Sequence, residues 1–269
     1  MKKWIATAAL AAMTVAPLRG DVMLVQTMTI EGAAAAMLGN AQLPRMTMRI
    51  KGQKSRADIE VGGQTIIAIA DLATKQVILL NSATKTAMVS TPESAVPAGV
   101  PMPKIDVSFK PTGKSQVIEG QQCEEHAIRI QLNMAEATGG QMPPEAAAMM
   151  KDVQMIMDGS IWIAPSAPGS AEFAAFNKAA MSSNLLAAVM GMSGAGKSAP
   201  GFDKLLEAAA NAAGLPYLTD INMRFEGSGP MVDAMKQMGP IRMIQKTVSV
   251  STDPIADTLF EVPEGYTIK

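Results

Sequence analysis

Cysteine and histidine are almost absent: the 269-residue chain has one of each, Cys123 and His126. The lone cysteine excludes an internal disulfide, so stability has to come from a packed core, and burial is the expected state of the thiol. The lone histidine excludes zinc sites that need several nitrogen and sulfur ligands. It also leaves a serine hydrolase only His126 as base, and no serine sits in a G-x-S-x-G elbow. Charge of one sign is missing too, with 23 basic against 24 acidic residues. Nothing in that balance recruits nucleic acid or an anionic membrane surface. No period of 20–50 residues recurs, which excludes repeat architectures.

Long apolar runs are limited to one. Lys2 and Lys3 precede an apolar stretch from Trp4 to Leu18, followed by Arg19-Gly20-Asp21. A basic start, about 15 apolar residues and small residues beyond describe a secretory signal peptide. A membrane-spanning helix needs about 20 apolar residues, and this run ends at Pro17 with charge close behind. Cleavage after Gly20 is expected, leaving residues 21–269 as one α+β domain with a helical insertion at 170–213. Losing Lys2, Lys3 and Arg19 would leave 20 basic against 24 acidic residues, a net charge near −4. No cysteine near the junction offers a lipid anchor, so the expected product is exported, periplasmic or extracellular, and soluble.

Most of the mature chain reads as short strands. Arg45–Lys51 (RMTMRIK) alternates strictly, with Met46, Met48 and Ile50 on one face and Thr47, Arg49 and Lys51 on the other. That pattern predicts a half-buried antiparallel strand. Gly62-Gly63 predicts a two-residue hairpin, and strand, polar turn, strand then recurs through Ser90 as a meander. Residues 91–104 hold four prolines and predict a covering loop. Strands are expected again at 105–110, 115–118, 123–132, 153–163, 216–226 and 241–252, with a closing segment at 258–266. Residues 136–151 read as a Gly-, Pro- and Met-rich loop with a short helical turn, and 227–240 as a Gly-, Pro- and Met-bearing loop. Helical spacing appears over Ser170–Met190, with Ser170 as the expected N-cap, and over Phe202–Ala213, closed by Gly214.

Two motifs invite chemistry and fail on context. Residues 191–198, GMSGAGKS, fit the phosphate-loop pattern at Gly191, Gly196, Lys197 and Ser198. A working phosphate loop curls between a buried parallel strand and a helix that starts at the Lys-Ser pair. Here the preceding segment reads as helix, and Ala199-Pro200-Gly201 follows where the helix should begin. A flexible interhelical loop is expected, and no nucleotide. In Cys123-Glu-Glu-His126, positions three apart on a strand face opposite ways, so no Cys–His dyad is expected.

The middle of the chain carries a recognisable pattern. Thr112-Gly113, Ile118, Gly120, Cys123 and Ile128 fall in a "TG-x-x-x-x-I-x-G-x-x-C-x-x-y-x-v" stretch. Ser160-Ile-Trp-Ile-Ala164, Gly214-Leu-Pro216 and Leu259-Phe-Glu-Val-Pro-Glu-Gly-Tyr266 continue it. The chain resembles an exported bacterial domain-of-unknown-function family over most of residues 22–266, departing at His126, where that family usually has an aromatic residue. The strand-rich pattern is similar to the LolA/LolB-like lipoprotein-carrier half-barrels. That similarity implies a curved sheet cupping helices over an apolar cavity.

The expected fold is therefore α+β, a large curved antiparallel sheet with two Ala-rich helices on its concave face. The 23 methionines, beside six Phe, two Tyr and two Trp, suit irregular apolar space and varied apolar partners. They are spread along the chain rather than grouped with histidine, which speaks against copper. Candidate lining for an apolar ligand comes from the sheet at Met46, Met48, Ile50, Ile128, Ile130 and Trp162. The helices supply Phe173, Phe176, Leu185 and Val189. The expected protein is a non-catalytic envelope component with no cofactor or metal, holding a lipid or lipoprotein acyl chain. The alternative is an envelope protein-interaction module with a filled core.

Overall fold

The computed structural model describes residues 20–32, 44–91, 105–137, 149–183, 212–237 and 239–269, together with Leu185, Ser193, Gly194, Lys197, Ser198, Gly201, Lys204 and Glu207. The first strands are β1 (Val22–Glu31), β2 (Arg45–Lys51), β3 (Lys54–Val61), β4 (Gln64–Asp71), β5 (Gln76–Asn81) and β6 (Thr86–Ser90). They are followed by β7 (Ile105–Ile118), β8 (Gln121–Asn133) and β9 (Gln154–Ala164). After a small hairpin of β10 (Ser193–Gly194) and β11 (Lys197–Ser198) come β12 (Leu215–Glu226), β13 (Ile241–Ser251) and β14 (Thr267–Ile268). Helices are α1 (Met134–Ala137), α2 (Ser170–Ser182) and α3 (Pro230–Gln237), with a 3-10 turn at Asp257–Phe260.

Twelve of these strands form one open sheet in the order β14-β6-β5-β4-β3-β2-β1-β13-β12-β9-β8-β7. All neighbours are antiparallel except β14, which pairs parallel with β6. The meander expected through Ser90 is β2 to β6. Its Gly62-Gly63 turn has φ of 58° and 77°, the two positive values that a type I′ hairpin needs and glycine supplies without strain. Alternation alone predicts two strands at 105–118; the structure joins them into β7 across an irregularity between Pro111 and Ser115. A bulge lets the strand resume pairing after Thr112-Gly113-Lys114.

The two faces of this sheet are covered differently. On the inner face α2 packs Phe176, Ala180 and Phe173, with Leu185 beyond it, against Val22, Met48, Ile50, Ala70, Val77 and Val250. The sheet curls around this helix, drawing side chains from β1, β2, β4, β5 and β13 to one element. On the outer face, residues 253–266 cross β2 to β6 as a strap. Ile255 and Phe260 bury against Ile67, Ile69, Leu80 and Ala87. Polar bonds fix the strap's path: Arg56 Nη1 donates to the Leu259 carbonyl at 2.9 Å, and Lys51 Nζ donates to the Ile255 carbonyl at 2.6 Å. The Ile255 N–H donates to Asp21 Oδ2 at 2.6 Å, which ties the strap to the start of β1.

Two local expectations are corrected. Ser170 is the first helical residue and not the cap; Gly169 holds that place with φ 79°, and the Ser170 hydroxyl donates to the Ala164 carbonyl at 3.0 Å. Within 227–240, read as a loop, lies helix α3. Pro230 suits a first helical position because its missing N–H has no partner to lose there, and Val232 is fully buried against Met150 and Val153. The closing segment begins in the 3-10 turn at Asp257–Phe260, and the tail strand β14 follows it. Of the second Ala-rich helix, Lys204 and Glu207 are helical and exposed; the rest of 202–211 lies outside the described residues, as do residues 1–19 and most of 136–151.

Phe260→Ala removes the largest side chain that the strap buries, and loss of a buried phenyl costs about 3–5 kcal/mol. A fall of that size in the urea unfolding free energy, with the strand-rich circular dichroism unchanged in water, is the expected outcome.

Candidate functional site

Strand register orders the inner face into rows. Ile30, Met243, Ile221, Gly159, Ile128 and Phe109 stand side by side across β1, β13, β12, β9, β8 and β7. The next row is Ile241, Met223, Met157, Ile130 and Val107. On the other half of the sheet the same face carries Met88, Leu79, Ala68, Ala57, Met48 and Leu24. Away from α2 these side chains are not sealed: Met28, Ile30, Met157, Ile221, Met223 and Met243 are half-buried, and Met88 and Ile66 are 56% and 47% exposed.

Charge stands on the opposite face. Arg129 and Arg224 both reach Asp158, and Arg224 also pairs with Glu226 at 3.0 Å. Arg242 pairs with Asp220 at 2.6 Å and with Glu31 at 3.0 Å. Arg49 and Arg56 both pair with Asp58. The hydrogen bonds from Arg242 hold the Asp220 carboxyl below its ordinary range.

Between α2 and β7–β9 the inner face deepens into a cleft of about 230 Å³. Its floor is Phe109, Ile128, Ile161 and Ile163, and its roof is Phe173, Ala174 and Asn177, with Ala212 to Gly214 and Pro216 at one side. Gln26 and Thr247, also buried on the inner face, are hydrogen-bonded. Gln245 donates to Gln26 at 2.8 Å, Gln26 to Thr247 at 3.1 Å, and Thr247 to the Pro216 carbonyl at 2.6 Å. His126 is the exception among the described residues. It is 9% exposed, stacks on Phe109 at 5.1 Å between ring centroids, and its Nδ1 has no hydrogen-bond partner.

The residues expected to line a ligand site divide into groups. Met46, Met48, Ile50, Ile128 and Ile130 all stand on the inner face, and Phe173 roofs the cleft. Ile50, Phe176 and Leu185 are sealed into the core under α2. Trp162 alternates with the cleft-lining Ile161 and Ile163 and packs on the cluster of Leu24, Cys123, Leu215 and Tyr217, which Met48 and Phe173 also border. Val189 lies outside the described residues. Sequence reasoning missed Phe109, Ile161, Met157, Ile221, Met223 and Met243. Alternation on β7, β9, β12 and β13 was their only signal, and on β9 apolar residues on both faces blurred it.

The motifs resolve as well. Ser193 pairs with Ser198 and Gly194 with Lys197 in an antiparallel hairpin, so no helix begins at Lys197 and the phosphate-loop geometry is absent. Cys123 and His126 diverge. Cys123 is fully buried among Leu24, Ala164 and Tyr217, and burial pushes its thiol above the ordinary value, more than the Ile118 backbone hydrogen bond lowers it. Among the described residues no group of His, Cys, Asp and Glu could hold a metal, and no helix is long and apolar enough to cross a membrane.

No family model matches the chain, and no curated protein matches it. Among solved structures it is similar to an uncharacterized conserved protein from Thermus thermophilus, at 8% identity and a TM-score of 0.41, over 94% of this chain and 91% of that one.

Two outcomes check this description. A thiol reagent at neutral pH should label Cys123 only after unfolding, because the native thiol is both enclosed and protonated. Asp220, whose native carboxyl titrates low, contributes stability above the ordinary carboxylate range and loses it as pH falls through its folded value. Urea midpoints should therefore fall less steeply with acid in Asp220→Asn than in the parent chain.

Proposed function

We propose that this is a non-catalytic protein of the cell envelope, exported by its N-terminal segment, that holds an acyl chain or comparable apolar moiety against the inner face of the sheet. What supports this is the partition of the sheet. Row after row of Met, Ile, Leu and Val covers one face while the arginine–carboxylate pairs stand on the other.

A sheet face buried only for stability would be filled throughout, as it is under α2. Here the apolar rows continue past the helix to side chains that remain half-buried. Exposed apolar area on this scale marks a place where something apolar is received. Methionine suits the task because its unbranched, polarisable side chain repacks around ligands of differing shape. The basic leader followed by an apolar run, Lys2 to Leu18, supports export, and the carrier-like pattern of strands agrees with it. Among the described residues no polar constellation on the inner face offers a nucleophile with a base, which favours holding over catalysis.

Purified protein should bind the apolar dye N-phenyl-1-naphthylamine, and native mass spectrometry of protein taken from an envelope fraction should show co-purified lipid. Met223→Glu places a charge in the middle of the inner rows and should weaken dye binding at least tenfold. Lys246→Glu, exposed on the outer face, should leave it unchanged. A protein that binds neither dye nor lipid would overturn the proposal.

A further inference from the structure

We infer that the cleft between α2 and β7–β9 is the seat of a single unbranched acyl chain in ester linkage, and that His126 donates a hydrogen bond to the ester carbonyl. This deepens the reading of the protein as an acyl-chain holder and rests on it.

The cleft and the histidine are separate observations that meet at the same place. The floor residue Ile161 is the cross-strand partner of His126, Ile128 follows it by two on the same face of β8, and Phe109 stacks on its ring. His126 thus stands beside the cleft floor on the same face, covered by the Phe109 ring. Of the two imidazole nitrogens, Nδ1 here has no partner although the residue is nine-tenths buried; with the ring proton placed on Nδ1, it is a donor left unused. Such a group forfeits a hydrogen bond that water would have supplied, and native structures keep few of them without a reason. On the same face Gln245, Gln26 and Thr247 are bonded in series, and among the described residues His126 Nδ1 is the buried side-chain nitrogen or oxygen left without a partner. A ligand bearing one polar atom at the end of an apolar body would remove the deficit.

The lining selects the kind of polar end. None of the described residues around the cleft is a lysine or arginine, so a free carboxylate would lie buried without a counter-charge, which is strongly unfavourable. An ester carbonyl needs only a donor. Phe109 gives the route: it stands on the edge strand β7, is half-buried, and lies just before the irregularity at Pro111. Turning its ring off the stack opens His126 to the cleft. The small Ala174 in the roof leaves room for the chain above Ile128 and Ile161.

Displacement of N-phenyl-1-naphthylamine by a long-chain methyl ester, by the free fatty acid and by the alkane of equal length tests this. The ester should bind the parent protein about fivefold tighter than the alkane, the worth of one net hydrogen bond, and tighter than the ionised acid. His126→Phe keeps an aromatic ring on Phe109, so it should fold at least as stably; it should lose the preference for ester over alkane while still binding both. Ala174→Leu fills the cleft and should weaken all three, with its unfolding midpoint showing that the fold persists. If the dye binds but His126→Phe keeps the ester preference, or a folded Ala174→Leu binds the ester normally, this seat is wrong while the broader reading stands. If the dye does not bind at all, the broader reading fails with it.

Discussion

A strand can show only two faces, and in this protein one open sheet must use both at once. Side chains alternate along every strand, and a register slip of one residue would exchange the faces completely. The α2 helix and the C-terminal strap hold the sheet on opposite sides and so fix which face is which. Val22 and Leu24 point to α2 while Met23 points to the strap, three consecutive residues of β1 serving two cores. The Asp21 carboxylate receiving the Ile255 N–H, and Arg56 donating to the Leu259 carbonyl, anchor the strap to strands whose other face belongs to the helix. Everything proposed about the inner face depends on this phase being kept across eleven antiparallel strands and a parallel tail.

Bulges adjust that phase where the chain needs it. Between Val25 and Gln26 the pairing with β13 shifts, and between Pro216 and Leu218 the pairing with β9 shifts. Both sit beside the buried Gln26–Thr247 network, where the Thr247 hydroxyl reaches the Pro216 carbonyl at 2.6 Å. The extra residue in each strand bends the sheet, and the hydroxyl occupies a carbonyl near the break. The polar network therefore belongs to the architecture of the curve. His126 takes no part in that network, and its Nδ1, unlike the nitrogens of Gln26 and Gln245, has no partner.

The edges are handled by different means. β14 lies along β6, with Thr267 donating to the Lys85 carbonyl and Lys269 to that of Ala87, each at 2.9 Å. Lys85 also stands over the Tyr266 ring at 5.0 Å. At the far edge β7 is interrupted between Pro111 and Ser115, and an irregular edge with proline and lysine resists pairing with another chain. An exposed apolar interior beside unprotected edges would favour aggregation; the tail and the irregular strand reduce that hazard without closing the sheet into a barrel.

Much of this was legible in the residues themselves. The strict alternation of RMTMRIK placed Met46, Met48 and Ile50 on one face, and the two glycines at 62–63 marked the hairpin, because both signals are local and arise from the period of two and from positive φ. The context around GMSGAGKS was enough to discount a phosphate loop. Other features were beyond local reading. In Ser160-Ile-Trp-Ile163 every side chain after the serine is apolar, so hydropathy could not say whether Trp162 or its neighbours faced the cleft; pairing with β8 and β12 decided it. The helix at Pro230 was hidden among glycines and prolines until Val232 found its buried partners, and the strap over β2 to β6 exists only as long-range packing. Composition and alternation determined a strand-rich chain with apolar and charged faces, since these follow from side-chain chemistry along the strand. Which residues line the cleft beside His126 was decided by strand order, because neighbours 35 residues apart in sequence, such as His126 and Ile161, meet only when the sheet has formed.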